Sequence, residues 1–227
     1  MSPILSNILL DVLDKELEAR GHKFCRYADD CNIYVKSQRA GKRVMKSITK
    51  FLLKRLKLKV NKEKSAVDRP WRRKFLGFSF YLKDDEIRIK PHEKSIKRLK
   101  DKIRKITNRN IGISMEIRIE RLNFLIVGWV NYFKIADMKA QLKAIDKWTR
   151  RRLRACLWKQ WKKIKTKFKN LKRLGVPEYK AWQYANTRKG YWRISNSPIL
   201  NKTLNNQYWL NQGFKTFSMQ YKKLNLT

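Results

Sequence analysis

Apolar residues recur at helical spacing at the start of the chain and again throughout its second half, with short β-prone runs between them. The first helix is predicted to begin at Ser2 and Pro3, which suit an N-cap and a first helical position, and to end near Ala19. Gly21 then stops it. Its predicted apolar stripe consists of Ile4, Ile8, Val12 and Leu17. A helix with no upstream element to pack against is expected of a segment cut from a longer protein.

Two β-prone runs, residues 24–27 and 32–35, follow and are joined by a tight polar turn. This pattern predicts an antiparallel hairpin with Asp29 and Asp30 at its tip. Adjacent carboxylates repel each other, and a divalent cation would relieve that repulsion. Mg²⁺ prefers carboxylate oxygens, and carboxylate pairs of this kind hold the metals of phosphoryl-transfer sites. A plain solvated turn is the alternative, and the turn alone does not decide between them.

A second helix and a second hairpin are predicted to complete the first part of the chain. The helix covers residues 42–58, with an apolar stripe formed by Val44, Ile48, Leu52 and Leu56. A short strand over 57–61 and a polar loop over 62–65 follow. Strands at 75–82 and 86–90 form the second hairpin, which turns at Asp84 and Asp85. We interpret this other Asp-Asp pair as a plain solvated turn, because no polar site surrounds it.

Beyond Pro91 the pattern is predominantly helical. Three apolar stripes predict three helices, the third of them long. The stripes consist of Ile96, Leu99, Ile103 and Ile106; of Ile119, Leu122, Ile126, Trp129 and Phe133; and of Leu142, Ile145, Leu153, Cys156, Leu157 and Ile164. A turn at 175–177 and a short helix over 178–184 follow, and the remainder is less regular.

The charge of the chain points to a polyanionic partner. Its 57 Lys+Arg outnumber 18 Asp+Glu, which gives a net charge of +39. Nucleic acid is the first candidate and an anionic membrane surface the second, but no apolar run approaches the roughly 18 residues needed to span a bilayer. From Lys147 onward the net charge is +20, with Glu178 the single acid. Binding of nucleic acid through this part should therefore weaken steeply with salt.

The long helix predicted from the last of these stripes carries a cationic face. No acid lies at i,i+4 to pair with these cations, which favours contact with nucleic acid. Aromatic residues alternate with Lys and Arg after this helix. Trp182, Trp192 and Trp209 are expected either to stack on unpaired bases or, more simply, to form a core. The predicted RNA-binding residues are Lys147, Arg150, Arg151, Arg154, Lys159, Lys162, Lys165 and Arg193.

The cysteines do not form a metal site. Cys25, Cys31 and Cys156 lack metal-ligand spacing, and the chain has only two histidines. Cys25 and Cys31 flank the first turn and are expected to face each other. We interpret all three as reduced core thiols of a cytoplasmic protein.

A series of segments, in order, resembles the motifs of bacterial group II intron-encoded reverse transcriptases/maturases. Tyr27-Ala28-Asp29-Asp30 matches the catalytic box of that family. The other segments are 2–14, similar to the helix after the glutamine-glycine loop; 58–65 and 75–78, similar to palm motifs; and 128–133, 148–154 and 190–193, similar to the thumb or maturase domain.

The resemblance implies an α+β fold, with a partial right-hand polymerase palm over 1–91 and a helical thumb/maturase domain over 92–227. It implies RNA-directed DNA polymerisation with two Mg²⁺ ions, to which Asp29 and Asp30 would contribute as catalytic ligands. The implied primer- or nucleotide-binding residues are Tyr27, Ala28, Lys64, Phe75, Leu76 and Gly77. The implied partners are group II intron RNA, an RNA template with a DNA primer, and dNTPs.

The chain also departs from this family. The fingers, the glutamine-glycine loop and the strand with the first catalytic aspartate are not found in it, and neither is a histidine/cysteine nuclease domain. Asp11 and Asp14 belong to a helix and cannot replace that aspartate. We therefore expect the chain alone to be inactive as a polymerase and to need a missing N-terminal half or a second copy. The alternatives are a non-catalytic RNA-binding splicing cofactor, or a basic ribosome-associated protein that would leave the Asp-Asp hairpin unexplained.

Overall fold

The computed structural model describes residues 3–225, in which helices predominate and the strands form two small antiparallel sheets. The α+β class predicted from the sequence is therefore confirmed. The chain divides into two compact units, Met1–Ile87 and Arg88–Thr227. The N-cap predicted at Ser2 lies outside the described residues.

The first unit contains two helices and the first hairpin. Its elements are α1 (Pro3–Ala19), β1 (Lys23–Tyr27), β2 (Asp30–Tyr34), α2 (Gln38–Arg55), a single 3-10 turn (Pro70–Arg72) and β3 (Phe78–Lys83); β4 (Glu86–Pro91) pairs with β3 and leads into the second unit. Helix α1 ends at Ala19 as predicted, and Gly21 closes it with a φ of 69°. Helix α2 begins before residue 42 because the Ser37 hydroxyl accepts a hydrogen bond from the Ala40 amide at 3.1 Å.

The core of the first unit lies between α1, α2 and one face of the β1–β2 hairpin. Its buried centre is Leu13, Leu17 and Ile48, and the partly buried residues around it are Leu10, Phe24, Cys31, Ile33, Val44, Phe51 and Leu52. The stripe predicted on α2 is therefore confirmed for the residues up to Leu52. The stripe predicted on α1 is wrong except at Leu17, since Ile4 is 71% exposed and Ile8 is 65% exposed. Helix α1 is apolar on both faces, so periodicity alone could not select the buried one.

Two predicted strands are shorter than expected or absent. Residues 57–61 are not a strand, because Lys57 takes a φ of 55° and the Leu58 amide donates back to the Leu52 carbonyl. Strand β3 begins only at Phe78, since Leu76 and Gly77 form a tight turn with φ values of 51° and 88°. The turn predicted at Asp84 and Asp85 is confirmed.

The second unit is helical. Its helices are α3 (Glu93–Ile106), α4 (Met115–Phe133), α5 (Lys139–Gln160), α6 (Ile164–Arg173), α7 (Glu178–Ala185), α8 (Tyr191–Ile194), α9 (Pro198–Thr203), α10 (Asn206–Asn211) and α11 (Phe217–Leu224). No helix within residues 3–225 is both long and apolar enough to cross a membrane.

Helices α3, α4, α5 and α11 enclose the core of this unit, and the stripes predicted on α3 and α4 line it. The long third helix is wrong at its end: α5 stops at Gln160, and Ile164 begins α6 with its side chain exposed. The turn before α7 is confirmed, with Gly175 at a φ of 78°. Four short helices occupy the remainder, which the sequence pattern did not resolve.

Candidate active site and nucleic-acid interface

The tip of the first hairpin is a two-residue turn. Tyr27 pairs directly with Asp30, so Ala28 and Asp29 make the turn between β1 and β2. Ala28 takes a φ of 51°, which is the left-handed region, whereas neither aspartate does. Asp29 and Asp30 are both exposed.

The two Asp-Asp turns of the chain differ in backbone conformation. Asp84 and Asp85 have φ values of 51° and 59°, and aspartate is one of the residues that tolerates this region in a two-residue turn. Turn chemistry therefore accounts for their presence. In the first turn alanine occupies the left-handed position, so the turn itself does not account for Asp29 and Asp30.

The first hairpin has one covered face and one open face. Side chains alternate along a strand, and directly paired residues share a face. Phe24 and Ile33 pair on the face that packs against α1 and α2. Tyr27 and Asp30 consequently lie side by side on the other face, where Tyr27 is 64% exposed.

Arg26 fixes the turn from the covered side. Its guanidinium donates Nε and Nη2 to the Asp14 carboxylate at 2.7 and 2.5 Å, and Nη1 to the Asn7 amide oxygen at 3.0 Å and the Ala28 carbonyl at 2.9 Å. The hydrogen bond to Asp14 raises the pKa of Arg26, so its charge is permanent. Neither Arg26 nor Asp14 was predicted from the sequence as a positioning residue. A cation at an inward position of a short strand is the feature that could have identified them.

Asp29 and Asp30 each offer an exposed carboxylate, the kind of group that a hard cation binds. Within residues 3–225 no cation forms an ion pair with Asp29 or Asp30, although the chain is strongly basic. Both carboxylates are therefore open to Mg²⁺, which prefers carboxylate oxygens and retains several waters. The described part of the chain brings no further His, Cys, Asp or Glu to them as a cluster of three.

The predicted RNA-binding residues fall into three classes of exposure. Lys147, Lys162, Lys165 and Arg193 are exposed, and Arg150, Arg151 and Lys159 are half-buried. Arg154 is 5% exposed, so its placement on an outward cationic face is wrong. Its Nε donates to the Ser195 carbonyl at 2.8 Å, which ties α5 to the end of α8. Burial, followed by repulsion from Arg150 and Arg151, lowers the pKa of Arg154 to about 10.

The three tryptophans considered in the sequence have different environments. Trp209 is fully buried, as the simpler interpretation expected. Trp182 and Trp192 each keep about two-fifths of their surface exposed; Trp182 stacks on Phe168 at 4.2 Å. The Arg151 guanidinium covers the Trp192 ring at 3.9 Å. Such exposed rings beside cations can stack on unpaired bases.

Some arginines serve the fold rather than a ligand. Arg118 is buried and donates to the carbonyls of Ile106, Asn108 and Ile111, just beyond the C-terminal end of α3. Arg152 donates to Thr107 at the same end. These guanidiniums satisfy carbonyls that a helix end leaves open and complement its dipole. Structural roles of this kind therefore account for part of the excess of cations.

Comparison with known families agrees with this arrangement. The family described as "Reverse transcriptase (RNA-dependent DNA polymerase)" matches residues 1–80, which include the hairpin. The family described as "Group II intron, maturase-specific domain" matches residues 96–175, which include α4 and α5. The chain belongs to the group II intron reverse transcriptase/maturase family. No curated protein matches it.

The other residues implied by this family lie in turns of the first unit. Lys64 is exposed in a turn in which the Asn61 side chain accepts its amide, and its carbonyl accepts from Arg73 at 2.7 Å. Phe75 and Phe78 exchange backbone hydrogen bonds of 3.0 and 2.8 Å around Leu76 and Gly77. The two hairpins form separate two-stranded sheets in the described chain.

Cys25 and Cys31 do not face each other across the first hairpin, contrary to the expectation from the sequence. Cys25 lies opposite Asn32 and Cys31 opposite Arg26, so the two thiols are on opposite faces of the sheet. Cys25 is exposed, which makes its interpretation as a core thiol wrong, whereas Cys156 is buried. Burial raises the pKa of Cys31 to about 11 and also raises that of Cys156.

The rates of thiol alkylation should distinguish the exposed face of the hairpin from its covered face. We expect iodoacetamide at pH 8 to alkylate Cys25 at least about tenfold faster than Cys31 or Cys156, because the thiolate is the reactive form and access is limited at the other two. Mass spectrometry of the labelled peptides over time measures the three rates, with the denatured chain as the control. Equal rates for Cys25 and Cys31 would contradict the assignment of the faces.

Proposed function

We propose that the chain takes part in RNA-directed DNA synthesis through its first unit and holds intron RNA through its second, as parts of a palm (1–91) and a thumb/maturase domain (92–227). The observation that carries this proposal is the exposed pair Asp29 and Asp30, the last residue of the turn and the first residue of β2. Neither has an ion-pair partner in the described residues, and both lie inside the reverse transcriptase match. Group II intron RNA, an RNA template with a DNA primer, and dNTPs are the proposed partners.

In this proposal Asp29 and Asp30 are the protein's ligands for Mg²⁺ in the palm. Bound Mg²⁺ supplies charge stabilisation for the attacking 3′-oxygen and the leaving pyrophosphate. Arg26 keeps the two carboxylates at their positions by holding the Ala28 carbonyl on one side and Asp14 on the other. Tyr27 lies beside Asp30 on the open face, where its ring can bound the primer end or the incoming nucleotide.

The proposed role of the remaining palm residues is contact with substrate. Lys64 is exposed and cationic, which suits contact with the phosphates of an incoming nucleotide. Phe75, Leu76 and Gly77 form a tight turn. The absence of a side chain at Gly77 would let a primer terminus come close to the backbone there.

A second candidate function is that of an RNA-binding splicing cofactor without chemistry. The maturase-specific match and the cation-rich surface from Lys147 onward favour it independently of the hairpin. Both functions require RNA binding, and they differ only in whether the carboxylate pair is used.

Primer extension separates the two functions. The chain is assayed alone and after assembly with the fingers and first palm strand of a reverse transcriptase of this family, on an RNA template with a DNA primer and Mg²⁺. We expect both preparations to bind intron RNA and only the assembled one to extend the primer, because a two-metal site needs a further carboxylate. Extension by the chain alone would overturn that requirement. RNA binding without extension in either preparation would leave the splicing cofactor as the function.

A further inference from the structure

A polar pocket of about 580 Å³ opens in the second unit between α5 and the short helices α9 and α10. Its lining consists of Lys147, Arg150, Arg154, Asn201, Asn205, Asn206 and Gln207. The cations lie within the maturase-specific match, but the four amides lie beyond residue 175, so neither family match covers the pocket as a whole. Its size suits a mononucleotide.

The cationic side of this pocket lacks a compensating acid. Three cations and no carboxylate line it. Asp146, whose charge attracts Arg150, is not among the lining residues, and its carboxylate accepts backbone hydrogen bonds from Phe217 and Ser218 at 2.8 and 3.0 Å. Burial lowers the pKa of Arg150, partly offset by attraction to Asp146. Partly desolvated cations that repel each other favour a bound anion, and phosphate accepts hydrogen bonds from guanidinium groups well.

The opposite side of the pocket offers amides, which donate and accept hydrogen bonds. Asn205 is held in place because its oxygen accepts from the Tyr208 amide at 3.0 Å, and Gln207 donates to the Asn211 oxygen at 2.8 Å. Fixed amides of this kind can bind the Watson–Crick or Hoogsteen edge of a base. A base in a duplex has its Watson–Crick edge occupied and cannot leave the stack without cost, whereas an unpaired one can enter a pocket.

We propose that this pocket binds a single unpaired nucleotide of RNA, with its phosphate on Lys147, Arg150 and Arg154 and its base edge on the amides of α9 and α10. The inference rests on the proposed RNA-binding function and makes it more specific. The second unit would then recognise a bulged or flipped-out nucleotide in folded RNA, in addition to the general attraction for phosphates.

Binding to matched RNA hairpins tests this inference. One hairpin is fully paired, four others carry a single bulged A, C, G or U, and a sixth carries an abasic bulge. We expect the chain to bind at least one bulged hairpin about tenfold more tightly than the paired and abasic ones, which is the discrimination that one well-placed base contact provides.

Variants distinguish binding in the pocket from general electrostatic attraction to RNA. Lys147→Gln with Arg150→Gln should abolish the bulge preference. Lys139→Gln with Lys143→Gln, two exposed positions on the same helix outside the pocket lining, should weaken all hairpins equally and keep the preference. Asn206→Ala changes no charge and should reduce the preference alone. Equal binding of all hairpins by the unaltered chain would refute the pocket while leaving RNA binding intact. Absence of binding to any RNA would instead refute the proposed function.

Discussion

Replacing Asp29 and Asp30 together with Asn should lower primer extension by the assembled polymerase on the order of a thousandfold, since a single electrostatic group aimed at the transition state already contributes roughly 10²–10³. Asn keeps the size and the hairpin geometry but removes the two negative charges that would hold Mg²⁺. Single-turnover extension of a labelled primer at several Mg²⁺ concentrations measures the loss. Affinity for intron RNA should not change, because both side chains lie in the first unit's hairpin and not among the cations of the second.

The chain supplies its own matched control for this experiment. Asp84 and Asp85 form another Asp-Asp turn, and Asn tolerates their left-handed conformation as well as aspartate does. Asp84→Asn with Asp85→Asn removes the same charge and should leave extension unchanged. If both double variants lose activity equally, loss of charge or of stability is the cause. If the Asp29 and Asp30 variant loses RNA binding as well, those carboxylates are structural.

The sequence predicted the first hairpin and its acidic tip because both depend on local chemistry. Two short β-prone runs around a tight polar turn predict a compact hairpin. The register that pairs Tyr27 with Asp30, and so leaves only Ala28 and Asp29 in the turn, is visible only in the structure. The distinction between a metal-binding and a plain Asp-Asp turn stays a prediction. The structure adds a difference in backbone conformation, because the left-handed φ angles lie at Ala28 in the first turn and at Asp84 and Asp85 in the other.

Prediction of the buried face from the sequence failed where two faces of a helix have the same composition. Helix α1 is apolar on both sides, and only the tertiary packing against Phe24 and Ile48 selects Leu13 and Leu17 for the core. The exposed Ile4 and Ile8 would otherwise be the natural choice. Helix propensity and periodicity contain no information about which partner a face meets.

The sequence also could not show which arginines of α5 lie at the surface where they could bind RNA. Arg151 and Arg154 are one turn apart and look equivalent in the sequence, yet Arg154 is buried against Ser195 while Arg151 lies over Trp192. Arginine serves buried and exposed sites equally well, because its guanidinium can satisfy several carbonyls at once. A cationic run therefore predicts the class of partner but not the individual contacts.

The exposed cations of the second unit should account for much of the salt dependence of RNA binding. We expect Lys162→Gln, Lys165→Gln and Arg193→Gln together to lower RNA affinity about tenfold to a hundredfold at low salt. They should reduce the slope of log K against log salt by about two units, since each lost contact with single-stranded RNA removes roughly 0.7. All three side chains are exposed, so the fold should be retained. Filter binding from 50 to 500 mM salt, an experimental range chosen for its steep dependence, measures both quantities.

Three lysines on α2 provide the control, because Lys42, Lys46 and Lys50 are exposed and lie in the first unit. Their replacement with Gln removes the same net charge without removing any of the proposed RNA contacts of the second unit. We therefore expect the α2 variant to keep most of the slope. Equal reductions in both variants would mean that RNA responds to net charge alone. Arg154 is unsuitable for this comparison, because removing a buried guanidinium that ties α5 to α8 would lower the free energy of unfolding and lose binding for a structural reason.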